Sequence, residues 1–300
     1  MCGNCGCNKA SDIKIHSSSF HLIEDGDLDR GREKASKMQD FSLQPTNQPS
    51  AFCLLPSAFS RRELTITQSI LSKNDRLAER NRGYFLAKGL LVLNILSSPG
   101  SGKTALIERT ITERTTEMAE DASAIASSLK DRLKVGVVVG DLETDNDAKR
   151  LRSSGAPAVQ ITTGGVCHLE ADMVLQASQN LNLDLIDILI IENVGNLVCP
   201  AAYDLGENLR VVLLSVTEGE DKPLKYPTMF KSADVVIINK IDISEAVGFD
   251  REQALTNIQK IAPEATIFEV SARTGVGMEA WYDYLEEKMP KQTHTDLARL

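Results

Sequence analysis

The chain has 300 residues, 42% of them hydrophobic, and 19 glycines, enough apolar material for a sizeable core in one large domain or two small ones. Its net charge of −9 argues against a protein that mainly neutralises nucleic-acid phosphates or an anionic membrane, so neither partner is expected. No apolar run approaches the roughly 18 to 20 residues of a membrane span. The start Met1-Cys2-Gly3-Asn4-Cys5-Gly6-Cys7 has neither the basic lead nor the apolar core of a signal peptide, which makes the reducing cytoplasm the expected compartment. In that compartment six cysteines are read as inert, catalytic or metal-binding rather than disulfide-paired.

Residues 1–7 form a Cys-rich head, and residues 8–60, rich in Ser, Asn, Gln and Asp, read as a flexible linker. Across 61–88, Ile70, Leu77 and Tyr84 recur at heptad spacing with Leu71, Ala78 and Phe85 beside them, which predicts an amphipathic helix packing on the following domain. Short β-branched runs then alternate with helical patterns: Leu90 to Leu96, Val135 to Val139, Ala158 to Ile161, Leu185 to Ile191, Arg210 to Val216, Val235 to Ile238 and Thr266 to Val270. Continuous apolar strands belong to a sheet covered on both faces, so residues 89–290 are expected to form one α/β domain with a doubly wound, mainly parallel sheet. Residues 291–300 read as a tail.

The first run leads into Ser97-Ser98-Pro99-Gly100-Ser101-Gly102-Lys103-Thr104 and then a helical pattern, the strand, Gly-rich turn and helix order of a phosphate-binding P-loop. Gly100, Ser101 and Gly102 would turn backbone N–H groups toward the β-phosphate. Lys103 would reach the β- and γ-phosphates and Thr104 would ligate Mg2+. Ser97 stands where the strict pattern has glycine. Asn239-Lys240-Ile241-Asp242, at the end of a strand, specifies guanine, because the Asp242 carboxylate accepts from N1–H and the 2-amino group, whereas adenine leaves it unpaired. Ser271-Ala272 is placed to complete the base pocket with a backbone N–H. Two acidic strand ends, Gly140-Asp141 and Glu192-Asn193-Val194-Gly195, are candidates to hold Mg2+ directly or through water and to sense the γ-phosphate, with the longer Glu192 favouring a water-mediated role. Asp145 and Asp147 read as solvated residues opening the next helix.

Cys167-His168, placed at the start of a helix carrying Leu169, Met173 and Val174, and Cys199, downstream of Glu192, are read as one metal site. Three side chains leave an open position, a water, or a second copy across a dimer axis to complete it. Cys2, Cys5 and Cys7, with the Cys2 amine once Met1 is removed, offer four donors; a square plane suits Ni2+ and a tetrahedron Zn2+. Cys53, beside Phe52 and Leu54, reads as a small apolar residue, and His16, His21 and His294 receive no role.

Together these motifs resemble the hydrogenase nickel-incorporation GTPases of the HypB type, over most of the chain except the linker. The resemblance implies a high-affinity nickel site in the head, a weaker nickel or zinc site at Cys167, His168 and Cys199, and a GTP-driven homodimer. It also implies delivery of nickel to the large-subunit precursor of nickel-iron hydrogenase with a HypA-type nickel chaperone. Many relatives carry a His-rich tract after the head; this chain has only His16 and His21 there, which argues against bulk nickel storage. Urease nickel GTPases typically use a Cys-Pro-His run and lack the thiolate head. A ParA-like ATPase would need a further signature lysine in the loop. The alternatives kept are a nickel GTPase serving another nickel enzyme such as urease, and a storage or sensing protein with a merely structural nucleotide. With no catalytic glutamine or arginine finger assignable, GTP turnover is expected to be slow and the GTP/GDP cycle to act as a switch.

Overall fold

The computed structural model describes residues 14–16, 61–116 and 133–290; the thiolate head, Cys53, His21, His294, most of the expected linker and the tail lie outside them. In chain order the elements are β1 (Lys14–His16), α1 (Arg61–Ala87), β2 (Leu91–Ser97), α2 (Lys103–Thr116), β3 (Val135–Asp141), α3 (Asn146–Ser153), β4 (Ala158–Thr162), α4 (Ala171–Ser178) and β5 (Ile188–Glu192). There follow β6 (Leu209–Ser215), α5 (Lys222–Lys225), α6 (Pro227–Lys231), β7 (Val235–Asn239), α7 (Arg251–Ile261), β8 (Thr266–Val270) and α8 (Met278–Lys288). They build one sheet of order β1-β4-β3-β5-β2-β6-β7-β8. All neighbours are parallel except β1, which runs antiparallel to β4 at the edge. The segment expected to be linker thus contributes a strand.

The β-branched runs form strands because both faces are covered. Leu91, Leu93 and Ile95 of β2 pack with Leu106 of α2, Leu151 of α3 and Trp281 of α8 on one face. On the other, Val92 meets Phe85 of α1 and Val174 of α4, and Leu96 meets Phe230 of α6 and Ile258 of α7. Most strand ends shift by one to three residues from expectation, and two of the shifts have a visible local cause. Leu183–Leu185 is a 3-10 turn with Leu185 exposed, and β5 begins only after Asp187, whose carboxylate accepts from the Lys134 amide at 2.7 Å. At β6 the strand stops at Ser215 because its side chain and that of Glu218 form a capping box.

Helix α1 buries only the Ala78 and Phe85 part of the stripe its apolar residues suggest, joined by two asparagines. Asn74, Ala78, Asn81 and Phe85 face inward, while Ile70 is exposed and Leu71, Leu77 and Tyr84 are half-buried. The two asparagines are hydrogen-bonded to backbone of other segments. Asn74 Oδ1 accepts from the Ala171 amide at 2.9 Å and its Nδ2 donates to Asp204 O at 2.8 Å; Asn81 Nδ2 donates to Ala171 O at 2.7 Å and to Leu205 O at 3.0 Å. Arg82 Nη2 donates to both carboxylate oxygens of Asp204, at 2.9 and 3.1 Å. The approach is possible because Gly206, at φ 90°, has no side chain: a Cβ there would lie 2.7 Å from Ala78 O. Among the described residues no helix is long and apolar enough to cross a membrane.

Gly206→Ala is expected to destabilise the fold by more than the roughly 1–2 kcal/mol that left-handed backbone alone costs an L-residue. Gly248→Ala, at φ 66° with open space around it, is expected to cost only about that amount. Thermal melts of the two variants check this; equal losses would mean that the contact of α1 with the Gly206 turn is not tight.

Candidate nucleotide and metal site

The functional residues gather at the carboxyl ends of the parallel strands, where β2, β3, β5 and β7 release their loops to one edge of the sheet. The loop after β2 turns on Gly100 at φ 74° and Gly102 at φ 100°, and α2 starts at Lys103. Lys103 is buried, its ammonium donating to Ser97 Oγ at 2.9 Å, so the serine that replaces the usual glycine holds the lysine. Ser98 Oγ donates to Glu218 Oε2 at 2.5 Å, which braces the loop from the β6 side. The Thr104 hydroxyl gives its proton to Glu192 Oε1 at 2.8 Å and so keeps its lone pairs for a cation. Glu192 Oε2 is buried with no hydrogen-bond partner. Burial lifts the Glu192 carboxyl to about 7 against the pull of Lys103 and Thr104, and burial likewise pushes the Lys103 ammonium below its usual range against the pull of Glu192.

A cavity of about 380 Å³ lies over these groups, lined among others by Gly100, Lys103, Thr104, Asp141, Asp147 and Glu192. Asp141 resists ionisation through burial, but the Thr144 hydroxyl at 2.7 Å and amide at 3.0 Å win and hold its carboxyl below the usual range. Asp147, expected to be solvated, is half-buried and lines this cavity, whereas Asp145 pairs with Lys149 at 2.8 Å outside it. An orphaned buried carboxylate oxygen beside a hydroxyl and two further acids is a donor set that fits Mg2+.

The second cavity, about 530 Å³, is lined by Asn239, Lys240, Asp242, Ala272 and the outer face of α2. Asn239 is a hub: its Nδ2 donates to Ser101 O at 3.0 Å, and its Oδ1 accepts from the amides of Lys240 at 2.8 Å and Ala272 at 3.2 Å. Gly102 is required here, since a Cβ would lie 2.6 Å from Asn239 Nδ2. Lys240 has φ 66°, the single positive φ outside glycine among the described residues, and its ammonium donates to Gly100 O at 2.7 Å. Ser271 acts through its hydroxyl, which donates to Asp242 Oδ1 at 2.6 Å and fixes the carboxylate, while the Ala272 amide is engaged by Asn239.

The ligand atoms of Cys167, His168 and Cys199 all lie within 4.8 Å of one another. Both ring nitrogens of His168 are buried without hydrogen-bond partners, and the ring stacks on Tyr203 at 3.8 Å between centroids. The nearest acid, Glu170 Oε1, is 3.8 Å from Nε2, too far for a hydrogen bond. Thiolates and imidazole at this separation match a soft or borderline divalent ion. Cys167-His168 is not at a helix start, however. Gly164 and Gly165 take positive φ, Glu170 is the extended N-cap, and α4 begins at Ala171, so no helix end acts on the Cys167 thiol directly. Leu169 packs on β3, where a Cβ at Gly140 would meet it at 2.8 Å. Cys199 opens a 3-10 turn with Pro200 behind it. Two side chains between the sites escape a motif search: Asn193 Oδ1 accepts from the Leu169 amide at 3.3 Å, and Asn196 Nδ2 donates to Cys167 O at 3.4 Å. Tyr203 escapes it too, although its position shortly after Cys199-Pro200 is the available signal.

Residues 91–269 match the family described as CobW/HypB/UreG, nucleotide-binding domain. The hydrogenase maturation factor HypB of Escherichia coli (strain K12) is 41% identical over 300 aligned residues, spanning 95% of this chain and 98% of that protein. HypB of Rhizobium leguminosarum bv. viciae is 49% identical over 232 residues, spanning 77% of this chain and 73% of the relative. The crystal structure of HypB from Helicobacter pylori in complex with nickel is similar with a TM-score of 0.64 at 45% identity, covering 74% of this chain and 99% of that one. The chain therefore belongs to the HypB family of hydrogenase maturation factors, within the CobW/HypB/UreG nucleotide-binding proteins.

Proposed function

We propose that this chain is a GTP-hydrolysing nickel carrier for the maturation of nickel-iron hydrogenase, in which the nucleotide state sets the affinity of the Cys167, His168 and Cys199 site. The observation that carries this reading is the path from Glu192 to Cys199: it begins on the Thr104 hydroxyl and ends at a metal ligand, and on the way Asn193 and Asn196 hold the segment bearing Cys167 and His168. Ordering this path around a γ-phosphate therefore acts on all three ligands at once.

Thr104, Glu192 and Asp141 would hold a Mg2+ ion, which neutralises charge on the β- and γ-phosphates when bound. Lys103 leaves Ser97 for the phosphates, and Asp242, fixed by Ser271, selects guanine. The sequence motifs assign no catalytic glutamine or arginine finger, which supports slow turnover with a water activated by a partner or a second copy. Nickel is the cargo; Zn2+ would also suit the Cys and His donors. A GTP-bound homodimer, a first nickel site at Cys2, Cys5 and Cys7, receipt from or exchange with a HypA-type chaperone, and delivery to the hydrogenase large-subunit precursor in the cytoplasm complete the proposal.

GTP should be turned over slowly and ATP hardly at all; Asp242→Asn should move the preference toward xanthine nucleotides, and comparable kcat/KM for ATP and GTP would sink the guanine assignment. Lys103→Ala should abolish turnover.

Nickel titrations should give affinities at the G-domain site that differ about 5-fold to 150-fold between a GTP analogue and GDP. Cys167→Ala or Cys199→Ala should remove this difference. Identical affinities in the two nucleotide states would end the switch reading.

A third expectation follows from Glu192. Its folded carboxyl lies at about 7 against an ordinary 4.5, so the fold favours the protonated form; that contribution is intact below about 4.5 and is lost as pH rises toward 7. Without nucleotide, Glu192→Gln should therefore melt higher than the parent chain at pH 8, and the gap should shrink at pH 5, with roughly 2 to 4 °C for each kcal/mol recovered. A gap independent of pH would show that the buried carboxylate is stabilised by other means.

A further inference from the structure

The base cavity and the phosphate cavity share three lining residues: Gly102, Ala105 and Arg150. A guanine nucleotide with its base on Asp242 and its β-phosphate in the loop at Lys103 has to cross this shared boundary with its ribose and α-phosphate. Gly102 and Ala105 bring no charge to it. Arg150, on α3, brings a guanidinium, the side chain best matched to a phosphate.

That guanidinium is paired through Nη2 with Glu108 Oε2, on α2 one turn beyond Thr104, and Ser154 Oγ donates to the other carboxylate oxygen at 3.2 Å. The pair is half-exposed, with 48% of the arginine side chain and 31% of the glutamate side chain accessible. An exposed pair of this kind is weak and exchangeable. Glu108 itself lines the base cavity, where an anion repels a nucleotide. The pair is therefore poised for a partner exchange, in which a phosphate takes the guanidinium and Ser154 keeps the carboxylate.

We infer that Arg150 is a nucleotide-binding residue that exchanges Glu108 for the α-phosphate of a bound guanine nucleotide. The inference rests on the reading that guanine nucleotides occupy the two cavities and deepens it by naming the residue that joins them. Because GDP and GTP carry the same α-phosphate, the contact serves both and is separate from γ-phosphate sensing. It also draws α3, and with it the preceding loop carrying Asp141 and Thr144, onto either nucleotide.

The test is calorimetric titration of the full chain with GDP and with a non-hydrolysable GTP analogue, for the parent, Arg150→Ala, Glu108→Gln and the double variant, each checked by thermal melt. Arg150→Ala should weaken both nucleotides by roughly 10-fold to 100-fold, the range of a lost hydrogen bond to a charged group. Glu108→Gln should tighten both, because the competitor and a nearby anion are gone. The double variant should stay nearly as weak as Arg150→Ala. Parent-like affinity in the double variant would mean that Arg150 only screens Glu108, and would overturn the inference; so would an Arg150→Ala variant that binds like the parent. An effect confined to the GTP analogue would place Arg150 at the γ-phosphate and overturn the α-phosphate assignment. If the parent chain binds neither nucleotide, the guanine-nucleotide reading fails first and this inference with it.

Discussion

Both sites depend on the parallel register of β2 and β5, which sets Ile95 opposite Glu192. In a parallel pair the carboxyl ends lie at the same edge, so the phosphate loop and the Glu192 loop leave the sheet side by side. The ladder runs one residue past β5, with the Asn193 amide donating to Ile95 O at 3.0 Å, and this puts Glu192 within reach of Thr104. Beyond it, Gly195 lets the loop close on the phosphate loop: a Cβ there would stand 3.0 Å from Pro99 Cα. A slip of one residue would turn Glu192 to the opposite face of the sheet, and Thr104 and Lys103 would lose their common partner.

That register brings a cost which makes sense only for a site that receives a ligand. Glu192 and Lys103 are both buried, and each loses hydration that the other only partly replaces. Lys240 adds a left-handed backbone next to the same loop. A polyphosphate with a divalent ion offers Lys103 and Glu192 better partners than the protein itself supplies: anionic oxygens for Lys103, a cation for the orphaned Glu192 oxygen. The instability is stored where binding can release it.

The seven parallel strands were legible in the sequence because a strand buried on both faces has to be a continuous apolar run, bounded by polar turns. The phosphate loop and the Asn239 to Asp242 segment were legible for a similar reason, since their chemistry is contiguous in the chain. What escaped is non-local. Lys14–His16 pairs with β4 across a long stretch of chain, and three residues carry too little pattern to announce a strand. Asn74 and Asn81 break the apolar stripe of α1, yet they are its best-buried polar positions because their partners are backbone groups of distant loops. Leu169 looks helical by spacing, but it follows two positive-φ glycines, packs on Gly140 and lies in the irregular segment before α4. Tyr203 on His168 and Arg150 on Glu108 are likewise contacts that periodicity cannot encode.

The same non-local bonds hold the two loops that carry Cys167, His168 and Cys199. One end of each loop is anchored to α1: Ala171 by Asn74 and Asn81, and the Asp204-Leu205 segment by Asn74, Asn81 and Arg82. These bonds are buried or half-buried, lie away from the phosphate cavity, and fix how far the two loops stand apart. Nearer Glu192 the two loops are tied to each other, Asn193 to Leu169 and Asn196 to Cys167. Those contacts, at 3.3 and 3.4 Å, are the longer and weaker set. On the proposed function, a change at Thr104 and Glu192 would reach the Cys167 and His168 segment through these ties while the α1 end stays anchored, so the donors would shift relative to one another without the loops separating. His168 sits between the two sets, its ring stacked on Tyr203 and its buried nitrogens without hydrogen-bond partners, so stacking sets its orientation while its donor atoms stay available to a metal ion.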